Sequence, residues 1–444
     1  MSRVPQKNID AVVNALEEFH NRMVETQQFN LQEFFNFMEP KFAEAGYRDT
    51  TTPPRCRSNI LIIHDCGAGD FVVQTGLIRE VRRIYPEAYI TLMVSPVAFE
   101  LAEHCPYADE IIPNLKQFAF TQNFIELYKW CADLSKQLLK NRIDVCYAVA
   151  HNPCTPFLMY MCGARSRVSH YIADEKEATW CQDGEVPVPY SLQLATNLFP
   201  MFAYGKHAVD ICFSLLDHTL HSPVANRSLE IWYTAFEMNI AKSILENAKQ
   251  KVYALTMGGS GLNRHYPPEK YARLLEIILR EDPTATFVIL GAGQNDLISA
   301  EIVKNTAPEI YEKHVIDLTN RINYRRSAAI LSLCDMYIGN DTGTMHVAAA
   351  VKCPVLLVSC YSANFPFSHN VSISKYRPYL VPSVVIQPKK ALPECEINEP
   401  YNHWGCRSMK PHCITQIEPE TVYSGFKLLN QRIAEKNIET VYIS

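Results

Sequence analysis

The chain has 444 residues, of which 48% are apolar and 20% are charged, a balance typical of globular proteins with two or three domains. Its 42 basic and 47 acidic side chains give a net charge of −5, which argues against a surface that binds nucleic acid as a whole. Glycine and proline are not clustered, so collagen-like and low-complexity classes are excluded.

Cysteine use and hydropathy bear on the cellular compartment. The 15 cysteines are scattered from Cys56 to Cys413 and form no compact disulfide framework. The N-terminus lacks the apolar stretch of a signal peptide, and no apolar run approaches the roughly 18 residues of a membrane span. We therefore expect a cytoplasmic protein with free thiols, whose contact with any membrane is peripheral.

Residues 1–57 are predicted to form a helical extension. Its first apolar face has spacings of three and four residues, at Ile9, Val12, Val13, Leu16 and Phe19. A similar stretch runs from Phe29 to Phe42, and the prolines at 53 and 54 then indicate a linker. Two interpretations are open: an extra helical layer on the first domain, or an oligomerisation element.

The pattern changes at residue 59 to one of alternating strands and helices. Short apolar runs predict buried parallel strands over 60–63, 89–94 and 143–149, and the stretch 71–85 predicts a helix. Strands that alternate with helices imply right-handed βαβ units and an open α/β sheet.

The second half of the chain repeats this pattern. Apolar runs predict strands over 252–255, 287–290, 336–338 and 354–358, and residues 268–281 predict a helix. The predicted fold class is therefore α/β, with two Rossmann-like domains that face a central cleft at the carboxyl ends of their strands. The mixed, polar stretch near residues 214–239 separates them, and we place the domains at 58–235 and 236–444.

A glycine-containing loop, residues 64–70, joins the first predicted strand to its helix. Gly67 and Gly69 allow a tight turn and the close approach of a ligand. Asp70 falls near the first turn of the helix, where an ionised carboxylate is favoured and can accept a proton from an attacking hydroxyl. The alternative is that Asp70 is only a helix N-cap. The dinucleotide fingerprint is incomplete, because Val72 stands where its third glycine belongs.

A second loop lies directly after the predicted strand 336–338. Its residues are Gly339-Asn340-Asp341-Thr342-Gly343-Thr344-Met345-His346. A strand, a Gly/Thr turn and a helix start form an anion site from backbone N–H groups and hydroxyls, with phosphate or diphosphate as the natural occupant. The alternative is a structural turn with an aspartate cap.

A third loop, residues 258–267, follows the predicted strand 252–255 and carries a permanent cation. Arg264 can hold a phosphate through its fork of donors. We expect this loop to open onto the same cleft as residues 339–346.

The predicted helix 71–85 carries three arginines, Arg79, Arg82 and Arg83. Their spacing of three and four residues places pairs of them on neighbouring surface. They form either a solvated face or a binding surface for an acidic acceptor.

Two observations bear on metal binding. Cys395, Cys406 and Cys413 lack the short spacing of common zinc sites, so reduced, partly buried thiols are the favoured interpretation. No Asp-x-Asp pair occurs in the chain, so a transferase that holds a diphosphate through a divalent metal on such a pair is not favoured. We expect no metal cofactor, with the charge neutralised by helix N-termini, hydroxyls and arginine.

Taken in order from about residue 59 to residue 423, these segments resemble glycosyltransferase family 9, the ADP-heptose:lipopolysaccharide heptosyltransferases, which have the GT-B fold. The most specific match is 339–346, and 69–86 resembles the opening segment of the family. Arg264 stands where the family usually has a lysine, and residues 1–57 have no counterpart in the minimal family pattern.

The resemblance implies a role for each candidate residue. Asp70 is implied as the general base, and Arg264 as the group that stabilises negative charge on the leaving diphosphate. The donor site is implied to include Gly258, Ser260, Asp341, Thr342, Gly343, Thr344 and His346. Acceptor contacts are implied for Gly69, Arg79, Arg82 and Arg83. The domain over 58–235 would bind the acceptor, and the domain over 236–444 the nucleotide-sugar donor.

The leading hypothesis is an inverting, metal-independent glycosyltransferase that moves a heptose from ADP-heptose to a lipopolysaccharide-core or related glycan. The expected partners are the ADP-sugar and this acceptor, with peripheral contact at the cytoplasmic face of the inner membrane, and no nucleic acid. Alternatives are a protein hydroxyl as acceptor, another nucleotide-sugar transferase of the same fold, a nucleotide-sugar epimerase, and a non-catalytic nucleotide-sugar-binding protein. The oligomeric state is left open.

Overall fold

The computed structural model divides the chain into two compact units. Unit 1 comprises Met1–Gly67, Gly76–Ala203 and Asp210–Asn226, and unit 2 comprises Ala68–Thr75, Tyr204–Val209 and Arg227–Ser444. The structure describes residues 4–48, 58–64, 66–113, 124–148, 154–171, 194–200, 206–218, 223–259, 261–363, 373–392 and 410–444.

Unit 1 contains a sheet of six parallel strands in the order β3-β2-β1-β4-β5-β6. The strands are β1 (Asn59–His64), β2 (Tyr89–Val94), β3 (Glu110–Pro113), β4 (Val145–Ala148), β5 (Ser166–Tyr171) and β6 (Asn197–Pro200). The central strand β1 is buried along its whole length, as expected for an apolar run covered on both faces.

Helices lie before, between and after these strands in the chain. They are α1 (Gln6–Thr26), α2 (Leu31–Glu44), α3 (Ala68–Ile84), α4 (Pro96–Ala102), α5 (Phe124–Leu138), α6 (Cys154–Met161) and α7 (Ala208–Ser214). The predicted helix over 71–85 is confirmed as α3, but it begins three residues earlier, at Ala68.

The N-terminal helices α1 and α2 form a layer on unit 1 and share a hydrophobic core with α5 and α6. Phe34 is fully buried at its centre, with its ring centroid 5.3 Å from that of Phe19, 5.7 Å from Tyr128 and 5.4 Å from Tyr160. The contacts with Phe19 and Tyr128 are edge-on and that with Tyr160 is tilted, and such ring contacts add to the free energy gained by burial. The extension is therefore the extra helical layer that the sequence pattern suggested.

Unit 2 contains a sheet of seven parallel strands in the order β13-β12-β11-β10-β7-β8-β9. The strands are β7 (Lys251–Thr256), β8 (Ala285–Ile289), β9 (Val315–Asp317), β10 (Met336–Asn340), β11 (Val355–Val358), β12 (Ser383–Ile386) and β13 (Thr440–Ile443). The helices are α8 (Ala235–Ile244), α9 (Pro268–Glu281), α10 (Gln294–Thr306), α11 (Pro308–His314), α12 (Tyr324–Leu331), α13 (Gly343–Ala350), α14 (Ile373–Tyr376) and α15 (Pro419–Ala434).

Two parallel α/β sheets confirm the predicted fold class, and α9 has the predicted bounds. The domain boundaries after residues 57 and 235 stay predictions. Within the described ranges, no helix is both long and apolar enough to cross a membrane.

The aromatic core of the N-terminal layer allows us to predict how substitutions in α2 change the free energy of unfolding. Phe34→Ala removes a fully buried ring, so we expect the free energy of unfolding to fall by about 3–5 kcal/mol. Gln32→Ala, at an exposed position of the same helix, should change it by less than about 0.5 kcal/mol. Urea denaturation followed by circular dichroism measures both, and equal midpoints would contradict the packing described.

Candidate active site

Polar loops follow β7 and β10, which are neighbours in the sheet of unit 2. Gly339 pairs with Thr256 in parallel register, so both strands end at the same edge. The strand order reverses at this point, since β8 lies on the far side of β7 and β11 on the far side of β10. In open α/β sheets, ligands bind outside the carboxyl ends of strands at such a reversal.

The start of α13 presents backbone N–H groups at the position where the sequence predicts an anion site. Thr342 is the N-cap, in an extended conformation and without a side-chain capping hydrogen bond. The first N–H groups of a helix, here those of Gly343 and Thr344, have no partner within the helix and attract negative charge. Asp341 precedes the cap, so the alternative in which it caps the helix is wrong.

Arg264 and Asp341 bring the two loops together. Arg264 ends a short 3-10 turn, and its Nη1 lies 3.5 Å from Oδ2 of Asp341. The Asp341 carboxylate raises the pKa of Arg264, and Tyr361 acts in the same direction. The guanidinium is therefore a fixed positive charge at the carboxyl edge of the sheet.

His346 lies one turn into α13, with 6% of its surface exposed. Burial lowers the pKa of its imidazole, against the opposing effects of the Asp341 and Asp70 carboxylates. Its Nδ1 is buried without a hydrogen-bond partner among the described residues. Buried polar atoms are nearly always paired, so an unpaired ring nitrogen here suggests a ligand contact.

The first turn of α3 belongs to unit 2 and contacts α13. A Cβ added to Gly69 would lie 3.0 Å from Cα of Gly343 and 3.2 Å from Cδ2 of His346, so only glycine allows this approach without displacement. The N-cap of α3 is Gly67, and Asp70 lies in the first turn. The alternative in which Asp70 is the N-cap is therefore wrong, and its carboxylate stands within electrostatic range of His346.

Gly258 lies at the start of the loop after β7 and is hydrogen-bonded to the buried carboxylate of Asp296. Its N–H donates to Oδ1 of Asp296 over 2.9 Å. A Cβ at Gly258 would lie 2.4 Å from Cγ of Asp296, and one at Gly291 would lie 2.3 Å from Oδ1. Gly258 thus contacts the protein through its amide, and Ser260, the other donor-site candidate of this loop, lies outside the described residues.

The three arginines predicted to bind an acceptor have partners within unit 1. Arg82 donates to three backbone carbonyls between residues 86 and 107. Arg79 donates to the carbonyl of Asn226 over 2.6 Å, and Arg83 to that of Pro223 over 3.0 Å. These contacts fasten neighbouring segments to α3, and the acceptor role of the arginines stays a prediction.

The cysteines considered as metal ligands do not all fall in the described residues. Cys395 and Cys406 lie outside them, whereas Cys413 is buried beside His412, with Sγ 3.4 Å from Nδ1. Within the described part of the chain, no group of three or more His, Cys, Asp or Glu could hold a metal ion.

Sequence reasoning missed three tyrosines at this edge. The ring of Tyr376 lies 6.5 Å from that of His346, and the hydroxyl of Tyr324 would lie 3.3 Å from a Cβ at Gly343. Tyr361 follows β11 and interacts electrostatically with Arg264. The position of Tyr361 directly after a buried strand was a usable signal, whereas nothing local marks Tyr376 or Tyr324.

Comparison with known proteins finds similarity to one family of glycosyltransferases. The family model described as glycosyltransferase family 9 (heptosyltransferase) matches residues 173–368, which include Arg264 and the 339–346 segment. The chain is 22% identical over 323 residues to a lipooligosaccharide heptosyltransferase 2 of Haemophilus ducreyi, covering 71% of this chain and 86% of that protein. Both matches are to glycosyltransferase family 9, the family that the sequence resembles, and they indicate that the chain is a glycosyltransferase.

Two solved structures of family 9 proteins share the fold of this chain. A family 9 protein from Veillonella parvula is 17% identical, with a TM-score of 0.63 over 84% of this chain and 98% of that one. The ADP-heptose LPS heptosyltransferase II of Escherichia coli is 16% identical, with a TM-score of 0.60 over 85% and 99%. At these identities the likeness establishes the architecture, two parallel α/β sheets of the GT-B kind.

From the buried carboxyl of Asp296 we predict how the free energy of unfolding depends on pH. Burial raises the pKa of this carboxyl to about 6, above its value in the unfolded chain. At pH values between the pKa of Asp296 in the unfolded chain and its pKa in the folded protein, the folded state binds more protons. The stability that this carboxyl contributes is therefore complete below the unfolded pKa and is lost as the pH rises through about 6. Asp296→Asn cannot titrate. Relative to this variant, we expect the wild type to lose roughly 2–3 kcal/mol of unfolding free energy between pH 4 and pH 7.5.

Urea denaturation at both pH values measures the difference between the two proteins. Glu301→Gln, which removes an exposed carboxyl from the same helix, should show no comparable change and serves as the control. A wild-type-to-variant difference that is independent of pH would refute the raised pKa of Asp296.

Proposed function

We propose that this glycosyltransferase transfers a heptose from ADP-heptose to the lipopolysaccharide core or a related glycan, with inversion and without a metal ion. The observation that carries the proposal is the approach of Gly69 to Gly343, which sets Asp70 beside the start of α13. This approach supports the proposal because an in-line displacement requires a base near an anion site, and Asp70 and the start of α13 would supply the two. The named relatives act in heptose transfer, which favours this sugar.

The donor diphosphate would lie at the start of α13. The N–H groups of Gly343 and Thr344 and the hydroxyl of Thr342 would donate to its oxygens. The guanidinium of Arg264 would donate to the phosphate next to the sugar, and the free Nδ1 position of His346 would face the same group. Asp341 would hold Arg264 in place through their ion pair.

The reaction would be a single displacement. Asp70 takes the proton of the acceptor hydroxyl while its oxygen attacks the anomeric carbon, and the bond from that carbon to the diphosphate oxygen breaks. ADP leaves with the electron pair, so one attack from the opposite face inverts the configuration. Negative charge that develops on the leaving oxygen is stabilised by Arg264 and the N–H groups of α13, which are in place before reaction.

Metal independence follows from the groups that this site offers. The diphosphate would be neutralised by a guanidinium and by helix N–H groups, and the chain has no Asp-x-Asp pair. We expect transfer to continue in EDTA at an unchanged rate. A loss of activity that Mg²⁺ or Mn²⁺ restores would contradict this part of the proposal.

The acceptor is proposed as a lipopolysaccharide-core glycan. Such a lipid-linked acceptor would bring the enzyme to the cytoplasmic face of the inner membrane as a peripheral protein. Transfer to a protein hydroxyl would instead indicate a protein O-heptosyltransferase of the same fold, and turnover of the donor without an acceptor would indicate an epimerase.

The role of Asp70 gives the deciding test. Asp70→Asn keeps the shape of the side chain but cannot accept the proton, so we expect transfer to fall by about 100-fold or more while the Kd for ADP-heptose changes little. Isothermal titration with ADP-heptose, ADP-glucose, UDP-GlcNAc and GDP-mannose measures binding, and a radiolabel assay measures transfer.

Three results would overturn parts of the proposal. Normal transfer by Asp70→Asn would remove the base assignment. Tight binding of a UDP- or GDP-sugar in place of ADP-heptose would move the donor to another nucleotide. Donor binding without any transfer, unchanged by Asp70→Ala, would indicate a non-catalytic nucleotide-sugar-binding protein.

A further inference from the structure

Asn340 is the last residue of β10, and none of its surface is exposed. It pairs with Val358 of the neighbouring strand β11. A buried amide costs free energy unless its donors and acceptor are paired, whereas an apolar side chain of similar volume would fill the same space without that cost. The presence of an amide here therefore calls for an explanation beyond packing.

The Asn340 side chain joins both ends of the loop after β7. Its Nδ2 donates to the carbonyl of Met257 over 2.6 Å, and its Oδ1 accepts from the backbone N–H of Tyr266 over 3.3 Å. Oδ1 also accepts from the hydroxyl of Tyr271, on α9, over 3.0 Å. A carbonyl only accepts and an N–H only donates, so these partners fix which way the amide faces.

The end of β10 has no room to shift. A Cβ added to Gly339 would lie 2.6 Å from the hydroxyl oxygen of Tyr337 and 2.7 Å from the carbonyl oxygen of Thr256. The same Tyr337 hydroxyl donates to the carbonyl of Asn340 over 3.1 Å. The backbone at Asn340 is thus held in one position. This fixes the point from which the Asn340 side chain makes its hydrogen bonds.

Arg264 lies inside the loop whose ends Asn340 fastens, and Asp341 is the next residue after Asn340. One side chain therefore sets where the guanidinium stands relative to its carboxylate partner, at 3.5 Å, and relative to the start of α13. The loop is also held by Gly258, whose N–H donates to Asp296, and by His265, whose Nε2 lies 3.0 Å from the Gly259 carbonyl oxygen. Among the described side chains, that of Asn340 is the one that connects Met257 and Tyr266 to β10.

We propose that Asn340 is a positioning residue for anion binding: it locks the loop 257–266 so that Arg264 faces the diphosphate. This inference rests on the proposed function, since it takes the diphosphate of a nucleotide as the anion. Tyr271 offers a matched control. Tyr271→Phe removes a hydrogen bond to the same Oδ1 atom but leaves both loop contacts in place.

The test is a double-mutant cycle read by isothermal titration with ADP. Asn340→Ala should weaken ADP binding by about 10-fold, and Arg264→Leu by more. The double variant should bind no more weakly than Arg264→Leu alone, because Asn340 acts only through Arg264. Tyr271→Phe should lower the melting temperature yet leave the Kd for ADP within about two-fold.

Asn340→Asp provides a second variant in case Asn340→Ala fails to fold. When protonated, the introduced carboxyl can donate to the Met257 carbonyl as the amide does, and when ionised it cannot. We expect its affinity for ADP, relative to that of the wild type, to fall as the pH rises. The introduced charge also repels an anion directly, so the comparison is repeated in the Arg264→Leu background, where this repulsion persists but positioning of Arg264 cannot contribute. A fall in relative affinity of equal size in both backgrounds would contradict the positioning role.

The outcomes separate the two proposals. If the wild type binds ADP and the losses from Asn340→Ala and Arg264→Leu simply add, or if Asn340→Ala binds ADP normally, the positioning role is wrong and the proposed function stands. If the wild type does not bind ADP, both proposals fail.

Discussion

The parallel pairing of β10 with β7 is the constraint on which the candidate site depends. The two strands are not consecutive in the chain, since β8 and β9 intervene and pair on the far side of β7. Each crossover returns the chain to the amino edge, so both strands end at the same edge. Two loops that are far apart in sequence therefore leave the sheet side by side, and Arg264 meets Asp341. The order of the strands in the sheet thus determines which loops are close enough to contact the same ligand.

In the proposed function, anion binding at this edge would depend on directed dipoles more than on net charge. The site combines one guanidinium with the carboxylates of Asp70 and Asp341, and burial favours the neutral form of His346. The site therefore has no excess of positive charge among these groups with which to bind a diphosphate. N–H groups at the start of α13 are fixed in direction by the helix, and they need no reorganisation when charge develops on a leaving group.

Sequence patterns predicted the central strands of both sheets and the main loops, but they did not predict the outer strands β3, β5, β6, β9, β12 and β13 or the contacts between the loops. Strands buried on both faces, such as β1 and β7, appear as continuous apolar runs, which is why the α/β fold class was predictable. The start of α3 was placed too late, because Gly67-Ala68-Gly69 has the composition of a loop while the structure begins the helix at Ala68. Tyr376 and the amide partners of Asn340 could not be foreseen, since these contacts join residues that no local pattern connects.

The carboxyl of Asp296 fills space that side chains at Gly258 and Gly291 would need. Neither glycine can gain a Cβ while this carboxyl stays, and the backbone of Gly291 also has a positive φ of 153°. The three positions are therefore expected to change together during divergence. A relative that carries a larger residue at either glycine would need a smaller residue in place of Asp296. The path of its β7 loop would then differ from the one described for this chain.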